Sequence, residues 1–563
     1  MQSAALPPIL APQPALYLHI NHQPAPSLEP RMTDSKPPAF HPRRAHTTVF
    51  GALLDAAAHF GATKEIVVDA DRQTLTYRRL IQGTMVLGGK LARLTPPGSP
   101  VGVMLPNAAG ALVTLMALNA HGRSIAMLNF TAGARNLASA IRTAPVRVLL
   151  TSRRFIETAK LEDVIDHLSR VEPVPGKRLE IIYLDDLRAE IGTLDKVAGA
   201  VKAMFARAVH RRYKVTPDQP AVILFTSGTE GAPKGVVLTN ANLVSNALQI
   251  LAHAGEMLTP ADVVLNPLPM FHSFGLTAAG LMPLLGGMKV SLYPSPLHYK
   301  QVTKSIRQTG ATVLFATDTF LQGYARAAEA GDLSSIRYVI AGAERVKEQT
   351  RAMWDRVGAL ILEGYGATEC SPVIACNLPQ TNRPGSVGPI LPGIETRLAP
   401  VEGIHDGGRL SVSGPNVMAG YMLADMPGVV QPPEGGWHDT GDIVTIDDQG
   451  LVTIRGRAKR FAKIGGEMVS LAAVEAIAAT LWPDAQHVVV ALPDDRKGEQ
   501  LILVTDKPDA DKAALLAFAK SQGMPELWVP RAVLVVGTIP VLGSGKVDLS
   551  ATVDLVRQTR PLL

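Results

Sequence analysis

AVILFTSGTEGAPKGVV, residues 221–237, decides how this chain is read. Its opening run, Ala221 to Phe225, is continuously apolar, as in a parallel strand buried on both faces. It empties into Thr226, Ser227, Gly228, Thr229, Glu230 and Gly231, followed by Pro233, Lys234 and Gly235. Glycine lets the backbone approach an anion closely and turn successive N–H groups towards it. Hydroxyls add short donors, and Lys234 adds a point charge. A glycine-rich surface turn would account for the glycines alone. It gives no reason for two threonines, a serine and a lysine in the same loop. The spacing is not that of the Walker A loop, G-x-x-x-x-G-K-[ST]. A phosphate-binding loop at the carboxyl end of a strand is the expectation.

The chain has 563 residues, too many for a single core. Its 47% apolar and 18% charged content is that of a globular soluble protein. The two cysteines, Cys370 and Cys376, make no disulfide framework, so a reducing cytoplasm is expected. They flank an apolar SPVIA run and read as packed rather than reactive. No apolar span is long enough for a transmembrane helix. The net charge of +6 suits acidic partners such as nucleotides, an acidic carrier protein or anionic lipid. It is too weak and dispersed to indicate nucleic acid. Residues 1–45, rich in Pro, Ala and His, lack periodicity and read as a disordered extension. They contain no basic start followed by an apolar run, so no signal peptide is expected. Met32 opens MTDSKPPAFHPRR and is the expected translation start.

From residue 46 onward short apolar runs alternate with helical patterns. Strands are predicted at 66–69, 101–105, 146–150, 221–225, 263–265, 313–316 and 338–341, and helices at 136–142 and 240–253. This alternation implies α/β layers with largely parallel sheets, whose ligand loops lie at the carboxyl ends of strands. Gly342, Ala343 and Glu344 occupy such an end. Between 382 and 456 short strands separated by Gly, Pro and Asp turns suggest a small β-barrel or distorted sheet. Gly456 to Arg460 reads as a junction, and the remainder as a small α+β domain.

Four further signals follow the loop. In Glu363, Gly364, Tyr365, Gly366, Ala367, Thr368 and Glu369 an aromatic ring, a hydroxyl and a carboxylate share one turn. Tyr365 can stack on a base, Thr368 can donate to a phosphate, and Glu369 can hold Mg²⁺, a hard cation that prefers oxygen. Asp442 in WHDTGD can accept from both hydroxyls of a ribose, although T-G-D by itself is usually a hairpin turn. Arg457 is a forked cation suited to phosphate, and Lys546 follows a Gly-Ser-Gly turn.

In this order and spacing the five motifs resemble the adenylate-forming superfamily of acyl-CoA synthetases, luciferases and peptide-synthetase adenylation domains. The resemblance runs from about residue 47 to 549. That family mostly carries Thr where this chain has Glu230. The segments AGAERVKE, GYGATECSPVIACN and GRAKRFAKIGGEMVSLAAVE are closer to one subfamily. It is the acyl-acyl-carrier-protein synthetase half of the bacterial bifunctional 2-acylglycerophosphoethanolamine acyltransferase, which does carry Glu there. No histidine here has Asp five positions later, so the acyltransferase half, marked by H-x-x-x-x-D, is expected to be absent.

The resemblance implies an α/β fold: a large domain, 46–457, of two αβα lobes plus a small barrel, and a small mobile α+β domain, 458–563. It implies AMP-forming ligation of a medium- or long-chain fatty acid, through acyl-AMP, to the phosphopantetheine thiol of acyl carrier protein. The alternative is coenzyme A as acceptor, and a reading of another class is a non-catalytic acyl or nucleotide sensor. ATP and Mg²⁺ are implied, with Glu369 and Thr226 at the metal. ATP or AMP would be bound by Thr226, Ser227, Gly228, Thr229, Lys234, Gly342, Ala343, Glu344, Glu363, Gly364, Tyr365, Gly366, Thr368, Asp442, Arg457 and Lys546. Lys546 and Glu369 would be catalytic together with Thr226 and His272. Lys459 would be the hinge about which the Gly465-Gly466-Glu467 loop replaces Lys546. His272 in PMFHSFGL matches a position that gates the acyl pocket; it reads nearly as well as a histidine packed between Phe271 and Phe274.

Residues 201–214, VKAMFARAVHRRYK, place Val201, Met204, Phe205, Ala208 and Val209 on one helical stripe beside Lys202, Arg207, Arg211, Arg212 and Lys214. Such a helix suits peripheral contact with an anionic membrane on its cytoplasmic face, or an acidic carrier protein. An ordinary surface helix packing that stripe on the large domain is equally expected.

Overall fold

A computed structural model describes residues 40–227, 233–401, 404–464, 467–494, 498–522, 525–541 and 547–559. The chain divides into units Met1–Pro38 and Ala39–Leu563, and every described residue lies in the second. The folded chain starts before residue 46. Pro42–Ala45 forms one helical turn with Ala45 buried, and Phe40 lies against Gly393. Proline at the first helical position is preset for that φ, a signal hidden by the Pro-rich composition around it.

Two eight-stranded sheets carry the large α/β body. In one, Leu360–Gly366, Tyr338–Ala341, Val313–Ala316, Val263–Asn266, Lys289–Leu292 and Glu65–Val68 run parallel, with Val373–Cys376 and Thr74–Thr76 antiparallel at the edges. In the other, Pro220–Ser227, Ile125–Met127, Val101–Val103, Val148–Thr151 and Glu180–Tyr183 are parallel. Pro233–Thr239, Gly420–Leu423 and Met426–Gln431 extend that sheet antiparallel. The apolar runs form these strands because helices cover both faces. Val222 and Leu224 point into the core shared by both sheets, and Ile223 points into a second core under Leu137 and Ile141.

The region expected as a small β-barrel or distorted sheet is a four-stranded antiparallel sheet of Glu395–Val401, Ile404–Ser413, His438–Ile446 and Val452–Arg457. Its own core includes Tyr365, Leu410 and Val444. Beyond Arg457 a five-stranded sheet packs Val489, Leu501 and Leu503 on one face and Val488, Val490 and Ile502 on the other. Among the described residues, no buried cluster draws on both sides of Ala458–Arg460.

Candidate active site

Thr226 and Lys234 stand opposite each other. Strand Pro220–Ser227 returns as Pro233–Thr239, with Thr226 paired to Lys234 and Ser227 to Pro233. The residues flanking the expected phosphate loop thus pair antiparallel, at the point where a parallel sheet turns antiparallel. Gly228, Thr229 and Glu230 lie outside the described residues, as do Gly465, Gly466 and Lys546. The return strand leads directly into helix Asn240–Ala254. Thr239 caps that helix by accepting from Asn242 N at 3.1 Å, while Asn242 Oδ1 accepts from Thr239 N at 2.9 Å. From the same helix Asn246 grips both backbone groups of Val373, holding the strand after the Glu369 turn.

Tyr421 joins the two motif regions. Strand Gly420–Leu423 lies beside Pro233–Thr239 with Tyr421 against Val236. Its hydroxyl donates to Glu369 Oε1 at 2.7 Å, and Lys234 Nζ lies 5.5 Å from its ring centroid. Burial, then the neighbouring Glu369 charge, pushes the phenol above its ordinary range, so it remains a donor. Sequence reasoning missed Tyr421: a lone tyrosine in GYMLADMPG carries no motif, and its role exists only through strand pairing.

The carboxylates of the signature turns differ in what holds them. Glu363 is buried, accepts from Arg351 Nη2 at 2.7 Å and Gly385 N at 3.1 Å on one oxygen, and from Val346 N at 3.3 Å on the other. Its side chain is therefore a structural hub, and its carbonyl accepts from Asn377 N at 2.9 Å. Glu344 accepts from the N–H and hydroxyl of Thr319 through one oxygen. Ala343 beside it has φ 68°, a left-handed bend where the strand ends. Gly342 sits so close to the Phe274 ring that a Cβ would lie 3.1 Å from it, and a Cβ on Gly366 would lie 2.2 Å from Pro372 O. Gly364 pairs with Cys376 across the hairpin below. Thr368 and Glu369, both half-buried, lie in the single turn Thr368–Cys370.

Tyr365, expected to stack on a base, is buried and donates to Asp442 Oδ2 at 2.6 Å. Arg457 Nε lies 3.3 Å from Asp442 Oδ1. Burial raises the Asp442 carboxyl, while the Tyr365 hydrogen bond and the Arg457 charge oppose that rise. His438, also buried, is held below its ordinary range chiefly by burial, against the pull of Glu369, Asp439 and Asp442. The half-buried His272 ring meets Phe271 edge-on at 4.7 Å, and the His272 backbone N–H donates to Pro269 O at 3.1 Å. Behind it Phe274–Leu281 forms a π-helix, a rare element that often marks functional sites. Burial raises the thiol of Cys370 and lifts that of Cys376 to about 12, which suits packed rather than nucleophilic cysteines.

Lys459 lies in the turn Ala458–Arg460, between a residue tied to each side. Arg457 reaches back to Asp442, and Arg460 reaches forward to Glu475 and to Val489 O at 2.9 Å. The predicted helix 201–214 is not continuous. Thr193–Met204 ends at Phe205 and Ala206–Arg212 follows, with Ala206 and His210 turned inward while Met204 and Phe205 stay exposed. His210 fixes the break: Nε2 meets the Thr48 hydroxyl at 2.8 Å and Nδ1 meets Ala120 O at 2.8 Å.

A family model described as AMP-binding enzyme matches residues 53–422. Among curated relatives, the medium-chain acyl-CoA ligase ACSF2, mitochondrial, of Homo sapiens is 29% identical over 415 residues, covering 70% of this chain and 65% of that protein. The chain thus spans less than two thirds of that relative's length. A 3-[(3aS,4S,7aS)-7a-methyl-1,5-dioxo-octahydro-1H-inden-4-yl]propanoyl:CoA ligase of Rhodococcus jostii (strain RHA1) is 30% identical over 527 residues, covering 89% of this chain and 97% of that protein. Among solved structures, ATP-bound MatB from Rhodopseudomonas palustris superposes with a TM-score of 0.74 at 25% identity, covering 91% of this chain and 99% of that one.

Proposed function

Because the chain belongs to the AMP-binding enzyme family, we propose that it is an AMP-forming acid–thiol ligase for medium- or long-chain carboxylic acids. The observation that carries this reading is the convergence of Thr226, Lys234, Tyr421 and Glu369 at one hairpin mouth. ATP is the co-substrate. The fatty carboxylate oxygen attacks the α-phosphorus, an O–P bond forms, the bond to the β-phosphate breaks, and pyrophosphate leaves. Both reactants are anions, so the protein's task is charge neutralisation and in-line positioning. Lys234, with Thr226 and the loop amides, holds the departing phosphates, and Lys546 bridges carboxylate and α-phosphate. Asp442 takes the ribose hydroxyls, Thr368 a phosphate oxygen, and the 342–344 and 363–366 backbone flanks the base.

Mg²⁺ fits this donor set. Among the described residues no cluster of three or more His, Cys, Asp or Glu could cage a metal alone. Glu369 nevertheless keeps one oxygen without a hydrogen bond among the described residues, and Thr226 offers a hydroxyl. One carboxylate completed by phosphate and water oxygens is the usual Mg²⁺ arrangement. Bound there, the ion would neutralise phosphate charge.

The acyl-AMP is a mixed anhydride. A thiolate attacks its carbonyl carbon, the C–S bond forms, and AMP leaves with both bonding electrons. Rotation of residues 458–563 about Lys459 separates the two half-reactions, and His272 gates the acyl pocket. The relatives are named as CoA ligases, which favours coenzyme A over acyl carrier protein as acceptor. Pyrophosphate release from ATP with an acid series tests the ligase reading, and its absence across all chain lengths would favour a sensor. Competition between coenzyme A and acyl carrier protein then assigns the acceptor.

A further inference from the structure

Helix Thr193–Met204 faces the reverse way from a packed amphipathic helix. A surface helix normally buries its large apolar side chains and exposes its charged ones. Here the one fully buried residue is Gly199, where an added Cβ would lie 2.1 Å from Val86 Cγ2. Ala203 is half-buried beside it. This small-residue face lies on helix Tyr77–Leu94. The large side chains point outward: Leu194 is 86% exposed, Val197 56%, Val201 51%, Met204 77% and Phe205 60%. At about 3.6 residues per turn they form one stripe, with Lys196 and Lys202 on opposite flanks.

The charge around this stripe is mainly positive. Helix Ala206–Arg212 adds exposed Arg211 and Arg212, followed by Lys214. No ion pair joins these five cations to an acid among the described residues, whereas Arg207 pairs with Asp55 at 2.7 Å. Asp195, the nearest acid, faces Lys90 at 3.6 Å and accepts from Gly192 N. No acid follows until Asp218. A contiguous apolar stripe of this kind needs a cover. That cover must accept inserted apolar side chains and answer a largely cationic rim. An acidic protein surface answers the rim. A bilayer with anionic headgroups answers both, since an interfacial helix sinks its apolar face while flanking Lys and Arg meet the headgroups. We infer that Thr193–Phe205, with the basic helix after it, is an interfacial anchor seating the protein on anionic lipid. The purpose rests on the acyl-substrate reading, because a fatty acid dissolved in lipid is then taken up locally. The seating itself does not depend on that reading.

The test is co-sedimentation of the full chain, without substrates, with phosphatidylcholine vesicles and with mixed phosphatidylcholine–phosphatidylglycerol vesicles. The protein should pellet with the mixed vesicles only, and binding should fall at least about tenfold at high salt. A Leu194→Glu, Met204→Glu double variant should lose about tenfold or more in binding. It should keep wild-type pyrophosphate release with a short, water-soluble acid, since both residues are exposed and neither is proposed to bind ATP or the acid. The anchor is overturned by wild type that stays in the supernatant, or by a double variant that pellets like wild type. It is also overturned if the wild type is a dimer that the variant dissolves, or if Arg211→Glu, Arg212→Glu raises the Michaelis constant for acyl carrier protein while vesicle binding stays unchanged. Loss of pyrophosphate release in every protein would sink the proposed reaction and leave the anchor standing.

Discussion

Tyr421→Phe removes a single oxygen and isolates what that oxygen does. The lost hydroxyl donates to Glu369 Oε1 at 2.7 Å, while the ring that faces Lys234 remains. A hydrogen bond to a charged acceptor contributes about 1.5–3 kcal/mol. Glu369 is half-buried, so water can reach the freed oxygen and the lower end applies. About 1.5 kcal/mol is roughly a tenfold change in rate. The direction follows from what Glu369 is proposed to do. A carboxylate that has lost its anchor samples orientations that no longer face the metal and phosphates, so the adenylation half-reaction slows. Pyrophosphate release from ATP and fatty acid should fall about tenfold in kcat/KM, with saturation shifted to higher Mg²⁺. Transfer from synthetic acyl-AMP to a thiol should keep its wild-type rate. Wild-type pyrophosphate release would refute the argument, and so would equal loss in both half-reactions.

Lys546→Ala should abolish acyl-AMP formation while leaving thiol acylation from synthetic acyl-AMP intact; equal loss in both assays would remove Lys546 from its assigned role. Lys459→Pro restricts φ at the junction, so one half-reaction should survive and the other fail, as separate steady-state assays would reveal. Stability should fall as pH drops from about 6.5 towards 4. Burial holds His121 down to about 4, along with His210, His253 and His487 below their ordinary range, so the unfolded chain binds the protons. His121 contributes up to about 3 kcal/mol of this loss, and His121→Gln should flatten that limb in urea titrations at stepped pH. Arg123, buried and donating to the carbonyls of Ala92, Thr95 and His121, closes the end of helix Tyr77–Leu94. Arg123→Met should lower unfolding free energy by about 3 kcal/mol in chemical denaturation, because those carbonyls lose their donor.

The strands were legible because burial on both faces leaves an uninterrupted apolar run. The predicted 313–316 and 338–341 coincide with Val313–Ala316 and Tyr338–Ala341. The signature turns were legible because they gather residue types that ordinary turns do not need together. What stayed hidden depends on pairing between distant segments. Tyr421 reaches Glu369 only because Gly420–Leu423 pairs with Pro233–Thr239. Arg351 makes Glu363 a hub only where a helix crosses the strand end. Periodicity likewise marks a helix's apolar stripe without saying which side packs. For Thr193–Met204 the close approach at Gly199 decides that question against the stripe.

The carboxylates divide the work by how fully the protein already holds them. Glu363 has both oxygens bound inside the fold, so its charge is balanced by Arg351 and it cannot leave without orphaning that guanidinium. Asp442 is different. Its bond to buried Tyr365 is short, but the side chain of Arg457 is 74% exposed and its Nε stands off at 3.3 Å. The Arg457 guanidinium stays in solvent, so its contact is the looser of the two. Tyr365 therefore orients Asp442, and Arg457 is the more weakly held of its two partners. If Asp442 takes the ribose hydroxyls as proposed, they would compete with Arg457, the residue that borders the Lys459 junction. Nucleotide binding and freedom of the small domain would then be coupled through one weak ion pair, while the buried pair at Glu363 keeps the floor of the site fixed.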